Sequence, residues 1–219
     1  MIFFVPGYDA QTHANLTIAR GLVHSVLMDD WLCMPLLKNE ATRQALFRAL
    51  HRTGWPLFAM SHGSRDQLFA QDGDIALAEG DVAVLGCRPV YAFACYTANR
   101  LGQEAAQLGT TWWGYTGSIQ SPVAEAPFLA LFIEIFGYLQ AAFAPAQTTE
   151  ERLAVLEKLA QMCQFAQEEV DRHASAQPDL DVQEAHLCLL QLWDRLRVWT
   201  PGGREPEKHP AAKHPLLLM

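Results

Sequence analysis

Two short apolar runs, Pro56-Leu57-Phe58-Ala59-Met60 and Val90-Tyr91-Ala92-Phe93-Ala94, decide the fold, because a reactive residue follows each of them. His62-Gly63 comes after the first run, and Cys95 comes after the second. Each run has the length of a buried strand and is too short for a typical helix. If the two strands are parallel neighbours, both reactive side chains emerge at one edge of the sheet. Open α/β sheets bind their ligands at that edge.

A thiol and an imidazole at one sheet edge can act as a nucleophile and its base. The thiolate attacks a carbonyl carbon, and the imidazole transfers the proton. Gly63 lets a substrate carbonyl approach the backbone, so its N–H and that of Cys95 can form an oxyanion hole. Either motif alone would favour a structural role, because cysteine is commonly buried and His-Gly is common in turns. Their occurrence together, each at a strand end, favours function.

The length and composition predict one domain, and we expect neither a metal nor a cofactor. The chain has 219 residues, half of them apolar, which is enough for a sizeable core. The net charge is −8 and the basic residues are scattered, so nothing indicates binding to nucleic acid. The five cysteines include no Cys-x-x-Cys pair, and their odd number argues against a disulfide framework and against a zinc site.

No segment of the sequence is expected to enter a membrane. Residues 1–5 are apolar and contain no basic n-region, and Pro6-Gly7 follows at once. This pattern is unlike a signal peptide. The longest apolar stretch, residues 128–143, contains Glu134 and is too short for a membrane span. Together with the cysteine content, these features predict a cytoplasmic protein.

The first half of the chain alternates between strand and helix patterns. Residues 2–5 are apolar throughout, as expected for a strand buried on both faces. Helical spacing covers residues 12–28. Residues 29–37 are ambiguous: a second strand at 31–34, broken by Pro35, is one interpretation. A helix is predicted from Asn39, as its N-cap, to His51.

After the His62 strand, turn signals at Asp72-Gly73-Asp74 and Glu79-Gly80-Asp81 predict one or two hairpins within residues 67–85. The elements predicted beyond Cys95 are a helix at 97–108, a strand at 110–115, and helices at 128–143, 148–173 and 182–199. We therefore expect an α/β fold with a mostly parallel sheet, helices on both faces and a C-terminal helical layer. One domain is expected over residues 1–200, with an α/β core at 1–125 and a helical extension at 126–200. Residues 201–219 are expected to form an irregular tail.

The two motifs resemble those of the caspase-like cysteine peptidases, a clan that includes caspases, metacaspases, gingipains, separases and the bacterial CHAT proteases. The matching residues are His62-Gly63 and Ala94-Cys95, each at the end of an apolar strand. The run Phe93-Ala94-Cys95-Tyr96-Thr97 is closest to the Ser-Ala-Cys-x-Thr pattern of CHAT proteins. It differs from the Gln-Ala-Cys-x-Gly of caspases, and from metacaspases, which have an acid where this chain has Phe93.

The resemblance covers about residues 1–115 and implies a caspase-like fold and a Cys/His dyad that needs no third residue. In that dyad Cys95 is the nucleophile, and His62 is the general base and then the acid. The implied function is a cysteine endopeptidase that cleaves a protein substrate and has an activating partner or regulator. A place in a bacterial defence or cell-death pathway is implied by the resemblance alone.

The resemblance also implies that the substrate side chain before the cleaved bond (P1) is met just after the first strand, at Asp9. An acid there favours a basic P1 residue, because arginine can bind two carboxylate oxygens at once. Asp9 can equally cap the helix that begins near Thr12. Asp66 is another candidate acid, and Ser118 belongs to the segment 117–121 that is expected to line the cleft.

Two other classes of function stay open at this point. The chain can be a catalytically idle caspase-like module that acts by binding, which an active-site probe on Cys95 would test. It can also be a flavodoxin-like ligand-binding domain. The latter lacks support, because Pro6-Gly7-Tyr8-Asp9 after the first strand is not a glycine-rich phosphate loop.

Overall fold

A computed structural model describes residues 1–28, 32–177 and 182–213 of the chain. The strands are β1 (Ile2–Val5), β2 (Met34–Leu37), β3 (Leu57–Met60), β4 (Gln67–Phe69), β5 (Ile75–Ala78), β6 (Val90–Phe93), β7 (Trp112–Tyr115) and β8 (Leu196–Trp199). The α-helices are α1 (Ala10–Met28), α2 (Arg43–Arg52), α3 (Arg100–Gln107), α4 (Leu129–Ala142), α5 (Thr149–Ala176) and α6 (Gln183–Asp194).

Six of the strands within the described ranges form one sheet, in the order β2-β1-β3-β6-β7-β8. The first five of these strands run parallel, and β8 is antiparallel to β7. Every residue of β1, β3, β6 and β7 is buried. Burial on both faces is what a parallel sheet covered by helices requires, and it explains the unbroken apolar runs in the sequence. The α/β fold with a mostly parallel sheet is confirmed.

The two faces of the sheet carry separate apolar cores, because successive residues of a strand point to opposite faces. Phe3, Phe58 and Tyr91 face the core formed with α1, α4, α5 and α6. The rings of Phe58 and Tyr91 stack at 4.8 Å between centroids. Phe4 and Ala59 face the other core, formed with α2, α3 and the β4–β5 hairpin. The expected C-terminal helical layer is therefore packed on one face of the sheet.

Two predicted features of the first half differ in position. The second strand is Met34–Leu37 rather than 31–34, and it pairs with β1 through Pro35; position 31 lies outside the described residues. Pro35 is tolerated because β2 is an edge strand of the sheet. The N-cap of α2 is Thr42, whose hydroxyl accepts from the N–H of Ala45, and not Asn39.

Only one hairpin, β4–β5, forms in the described part of the segment 67–85. Residues 79–85 form a 3₁₀ helix where a second hairpin was an alternative. The carboxylate of Asp81 accepts from the N–H of Ala78 and pairs with Arg43 at 2.7 Å, which holds this segment against α2.

The last predicted helix is too long. α6 ends at Asp194, and residues 196–199, which the sequence places on the helical stripe, form β8. β8 pairs with β7 from Trp112↔Trp199 to Tyr115↔Leu196 and buries all four of its residues. The exposed edge of β7 supplies partners for these backbone groups, and burial of this kind overrides helical periodicity.

The tail returns to the sheet before the described residues end. The N–H groups of Val198 and Glu207 each donate to the carbonyl of the other residue, so the tail is not wholly irregular. Residues 214–219 of the expected tail lie outside the described residues. None of the described helices is both long and apolar enough to cross a membrane.

Candidate active site

Neighbouring central strands deliver His62 and Cys95 to the same edge of the sheet. β3 and β6 are parallel, with Met60 opposite Phe93. His62 is two residues beyond Met60, and Cys95 is two residues beyond Phe93, so the two occupy equivalent positions. The N–H of Ser61 donates to the carbonyl of Phe93 at 3.0 Å and extends the pairing towards them.

Gly63 packs directly against the Cys95 loop. A Cβ atom at this position would lie 2.8 Å from the carbonyl oxygen of Cys95, 2.7 Å from Cγ2 of Thr97 and 2.9 Å from Cβ of Ala94. Such distances leave no room for any side chain. The chain therefore needs glycine after His62 to bring the two loops into contact.

The two backbone N–H groups that the sequence assigns to an oxyanion hole have no acceptor among the described residues. In the part of the chain that the structure describes, neither the N–H of Gly63 nor that of Cys95 donates to an acceptor. The flanking backbone is fixed, because Phe69 donates to the carbonyl of His62 at 3.1 Å and Ser64 donates to that of Gln67 at 2.9 Å. N–H groups without an acceptor, in a backbone that is held in place, are suited to bind an oxyanion.

The Cys95 side chain is half-buried and contacts the loop that follows β7. Its sulfur accepts from the N–H of Ile119 at 3.3 Å and lies 3.8 Å from the carbonyl oxygen of the same residue. Tyr96, directly after it, has a φ of +62°. A left-handed conformation costs a bulky residue about 1 kcal/mol or more and is concentrated at functional sites.

The His62 side chain is held from the other side by the loop after β1. Its Nε2 lies 2.6 Å from Oδ2 of Asp9, and its ring lies 5.8 Å from that of Tyr8. No hydrogen bond joins the described side chains of His62 and Cys95. The structure thus brings Asp9, His62 and Cys95 to one edge, with the thiol turned to Ile119.

The sequence left two roles open for Asp9, helix capping and substrate binding. In the structure Asp9 caps α1. Its Oδ1 accepts from the N–H and the hydroxyl of Thr12, each at 2.8 Å. Burial works to raise the pKa of the Asp9 carboxyl, but the hydrogen bonds from Thr12 and His62 outweigh it and lower the pKa below its usual range. Both carboxylate oxygens are engaged, so binding a substrate side chain would require Asp9 to exchange a partner.

Asp66 and Ser118 are both tied to the scaffold. The carboxylate of Asp66 accepts from the hydroxyl of Ser64 at 2.8 Å. The carbonyl of Ser118 accepts from the guanidinium of Arg195, which also lies 3.3 Å from the Ser118 hydroxyl. Their substrate-pocket roles stay predictions. Sequence reasoning missed Arg195, because nothing local connects it with a loop 77 residues earlier.

A cavity of about 710 Å³ opens beside this edge, between the start of α1 and the loop at residues 120–126. Ala10, which follows Asp9, and Gln120, which follows Ile119, both line it. Its charged lining residues include Glu125 and Glu184, and no Lys or Arg of the described residues lines it. The cavity therefore presents a negative surface one residue along the chain from Asp9 and Ile119, which contact His62 and Cys95.

Comparison with known proteins identifies no family for this chain. No family model matches the chain, and no curated protein matches it. The assignment of a function depends on the geometry of the site.

Proposed function

We propose that the protein is a cysteine endopeptidase of the caspase-like type, with Cys95 as nucleophile and His62 as general base. The observation that carries this proposal is the equivalent placement of both residues at the ends of two adjacent parallel strands. The close packing of Gly63 against Cys95 supports it, because a scaffold role for His62 would not need that contact.

The reaction follows from the groups at this edge. His62 takes the proton of the Cys95 thiol, and the thiolate attacks the carbonyl carbon of a peptide bond. The N–H groups of Gly63 and Cys95 donate to the oxyanion that forms. The imidazolium then gives its proton to the leaving amine, and water hydrolyses the resulting thioester to regenerate the thiol.

The thiol must leave Ile119 for this reaction to begin. Catalytic hydrogen bonds are often long or absent without substrate, and form when the substrate binds. The same contact with Ile119 is the observation that favours a second candidate, a catalytically idle module that acts by binding. The two candidates differ in whether Cys95 reacts with a peptide carbonyl.

The substrate in this proposal is a protein with a basic side chain at P1. Glu125 and Glu184 support this preference, because they line the adjacent cavity and neither has an ion-pair partner among the described residues. Their carboxylates can pair with arginine or lysine. The free state of all five cysteines supports a reducing compartment such as the cytoplasm. The family resemblance extends the proposal to an activating partner and to a bacterial defence pathway.

Substrate profiling tests this function. A library of peptides varied at P1 is incubated with the wild type and with Cys95→Ala, and new N-termini are identified by mass spectrometry. The proposal expects cleavage by the wild type, enriched after Arg or Lys, and none by Cys95→Ala. Equal cleavage by the variant would contradict Cys95 as the nucleophile, and no cleavage by the wild type would favour the idle module.

A further inference from the structure

We propose that Asp9 is a positioning residue for His62, holding a proton on Nε2 so that Nδ1 is the atom that accepts the proton of Cys95. This inference rests on the proposed function. It replaces a two-residue site with a chain of three groups, Asp9, His62 and Cys95, delivered by the loops after β1, β3 and β6.

The distance between the side chains fixes where the proton lies. Nε2 of His62 and Oδ2 of Asp9 are 2.6 Å apart, which requires a proton between them. The hydrogen bonds from Thr12 and His62 lower the pKa of Asp9 against the opposing effect of burial, so the carboxyl is ionised at neutral pH. The proton therefore lies on Nε2, and the lone pair of the neutral ring is on Nδ1.

Asp9 is itself held in place, as a positioning residue must be. Thr12, in the first turn of α1, donates its N–H and its hydroxyl to Oδ1, which leaves Oδ2 directed to His62. In return, the hydroxyl oxygen of Thr12 accepts from the N–H groups of Tyr8 and Asp9. The orientation of the carboxylate is thus set by the helix N-terminus and not by His62.

Two titratable groups lie against the ring of His62. Asp9 faces the ring directly, and Tyr8 lies against it. Burial, Asp9 and Asp72 raise the pKa of Tyr8, so this phenol is neutral when the site operates. Among the described residues, His62 forms its one ion pair with Asp9. Asp9 thereby stabilises the imidazolium that accompanies the Cys95 thiolate.

Asp9→Asn separates this role from helix capping. Asparagine caps a helix about as well as aspartate, and its oxygen can accept from Thr12 as Oδ1 does. Its NH₂ group then takes the position of Oδ2 and faces Nε2 as a donor. That arrangement places the lone pair of His62 on Nε2 and the proton on Nδ1, and it removes the negative charge.

The test is the rate of alkylation of Cys95 by iodoacetamide as a function of pH, followed by peptide mass spectrometry. We expect Asp9→Asn to lower the rate near pH 7 at least tenfold, as His62→Ala does. All three proteins should converge at high pH, where hydroxide instead of His62 removes the proton of the thiol. The exposed Cys87 serves as an internal standard, and its rate should not change.

Asp72→Asn is the matched control, because it removes the same charge near Tyr8 without a contact to His62. It should leave the profile of Cys95 unchanged. A profile of Asp9→Asn that coincides with the wild type, while His62→Ala differs, would overturn the role of Asp9 and leave the dyad standing. An equal loss in Asp72→Asn would also overturn it. A wild-type profile in His62→Ala would overturn the dyad and this inference together.

Discussion

The replacement Gly63→Ala tests whether the contact between the His62 and Cys95 loops is as tight as described. The new methyl group would lie within 3.0 Å of three atoms, of which the carbonyl oxygen of Cys95 belongs to the backbone. Thr97 is fully buried and its hydroxyl donates to the carbonyl of Ala94, so it cannot rotate away freely. Overpacking of this kind costs about 1–3 kcal/mol. For a protein of this length, that lowers Tm by roughly 2–12 °C.

Gly54→Ala is the matched control, because a Cβ atom there meets no other atom within 4 Å. Thermal unfolding of both variants is followed by circular dichroism, and Cys95 alkylation is measured on the same samples. Gly63→Ala should melt lower and also react more slowly at Cys95, since the methyl group separates the two loops. Equal melting and equal reactivity of the two variants would refute the close packing and, with it, the argument for the oxyanion hole.

Three further predictions concern the core, the tail and the cavity. Native protein treated with iodoacetamide should leave Cys163 and Cys188 unmodified, because both are fully buried and burial raises the pKa of each thiol; labelling of either before unfolding would contradict the described core. Burial tends to raise the pKa of Glu207, but hydrogen bonds from Arg152 and Thr149 lower it overall. The contribution of Glu207 to stability is therefore present above about pH 4.5 and is lost as the pH falls. Urea unfolding should therefore show Glu207→Gln less stable than the wild type at pH 7, with a smaller difference at pH 3. Neutralising Glu125 and Glu184 together as glutamines should lower kcat/KM for a P1 Arg peptide about tenfold and leave a P1 Leu peptide unchanged; equal losses on both peptides would remove these acids from specificity.

The central strands were predictable because each is an unbroken apolar run, a signal that lies within the strand itself. β1, β3, β6 and β7 are apolar throughout, and the structure buries each of them entirely. β8 was not predictable, because helical spacing continues through Leu196 and Trp199. Its extended state depends on pairing with β7, which lies more than 80 residues earlier in the chain.

The candidate site also contains residues that the sequence could identify and contacts that it could not. His62 and Cys95 could be singled out because each follows a recognisable strand, and parallel strands place such residues at one edge. The contact between Asp9 and His62 spans 53 residues and could not be read from the sequence, where capping and substrate binding were equally open for Asp9. The sulfur of Cys95 contacts backbone atoms of Ile119, and side-chain patterns carry no signal for a backbone partner.

The most direct test of the Cys95–His62 assignment is covalent labelling with peptidyl acyloxymethyl ketones, which react when a thiolate attacks beside a peptide-like carbonyl. The modified residue is identified by tandem mass spectrometry in the wild type and in His62→Ala. The proposed mechanism predicts an adduct on Cys95 and on no other cysteine, forming at least about a hundredfold more slowly in His62→Ala. Labelling of Cys87 in preference to Cys95, or equal rates in the two proteins, would contradict it.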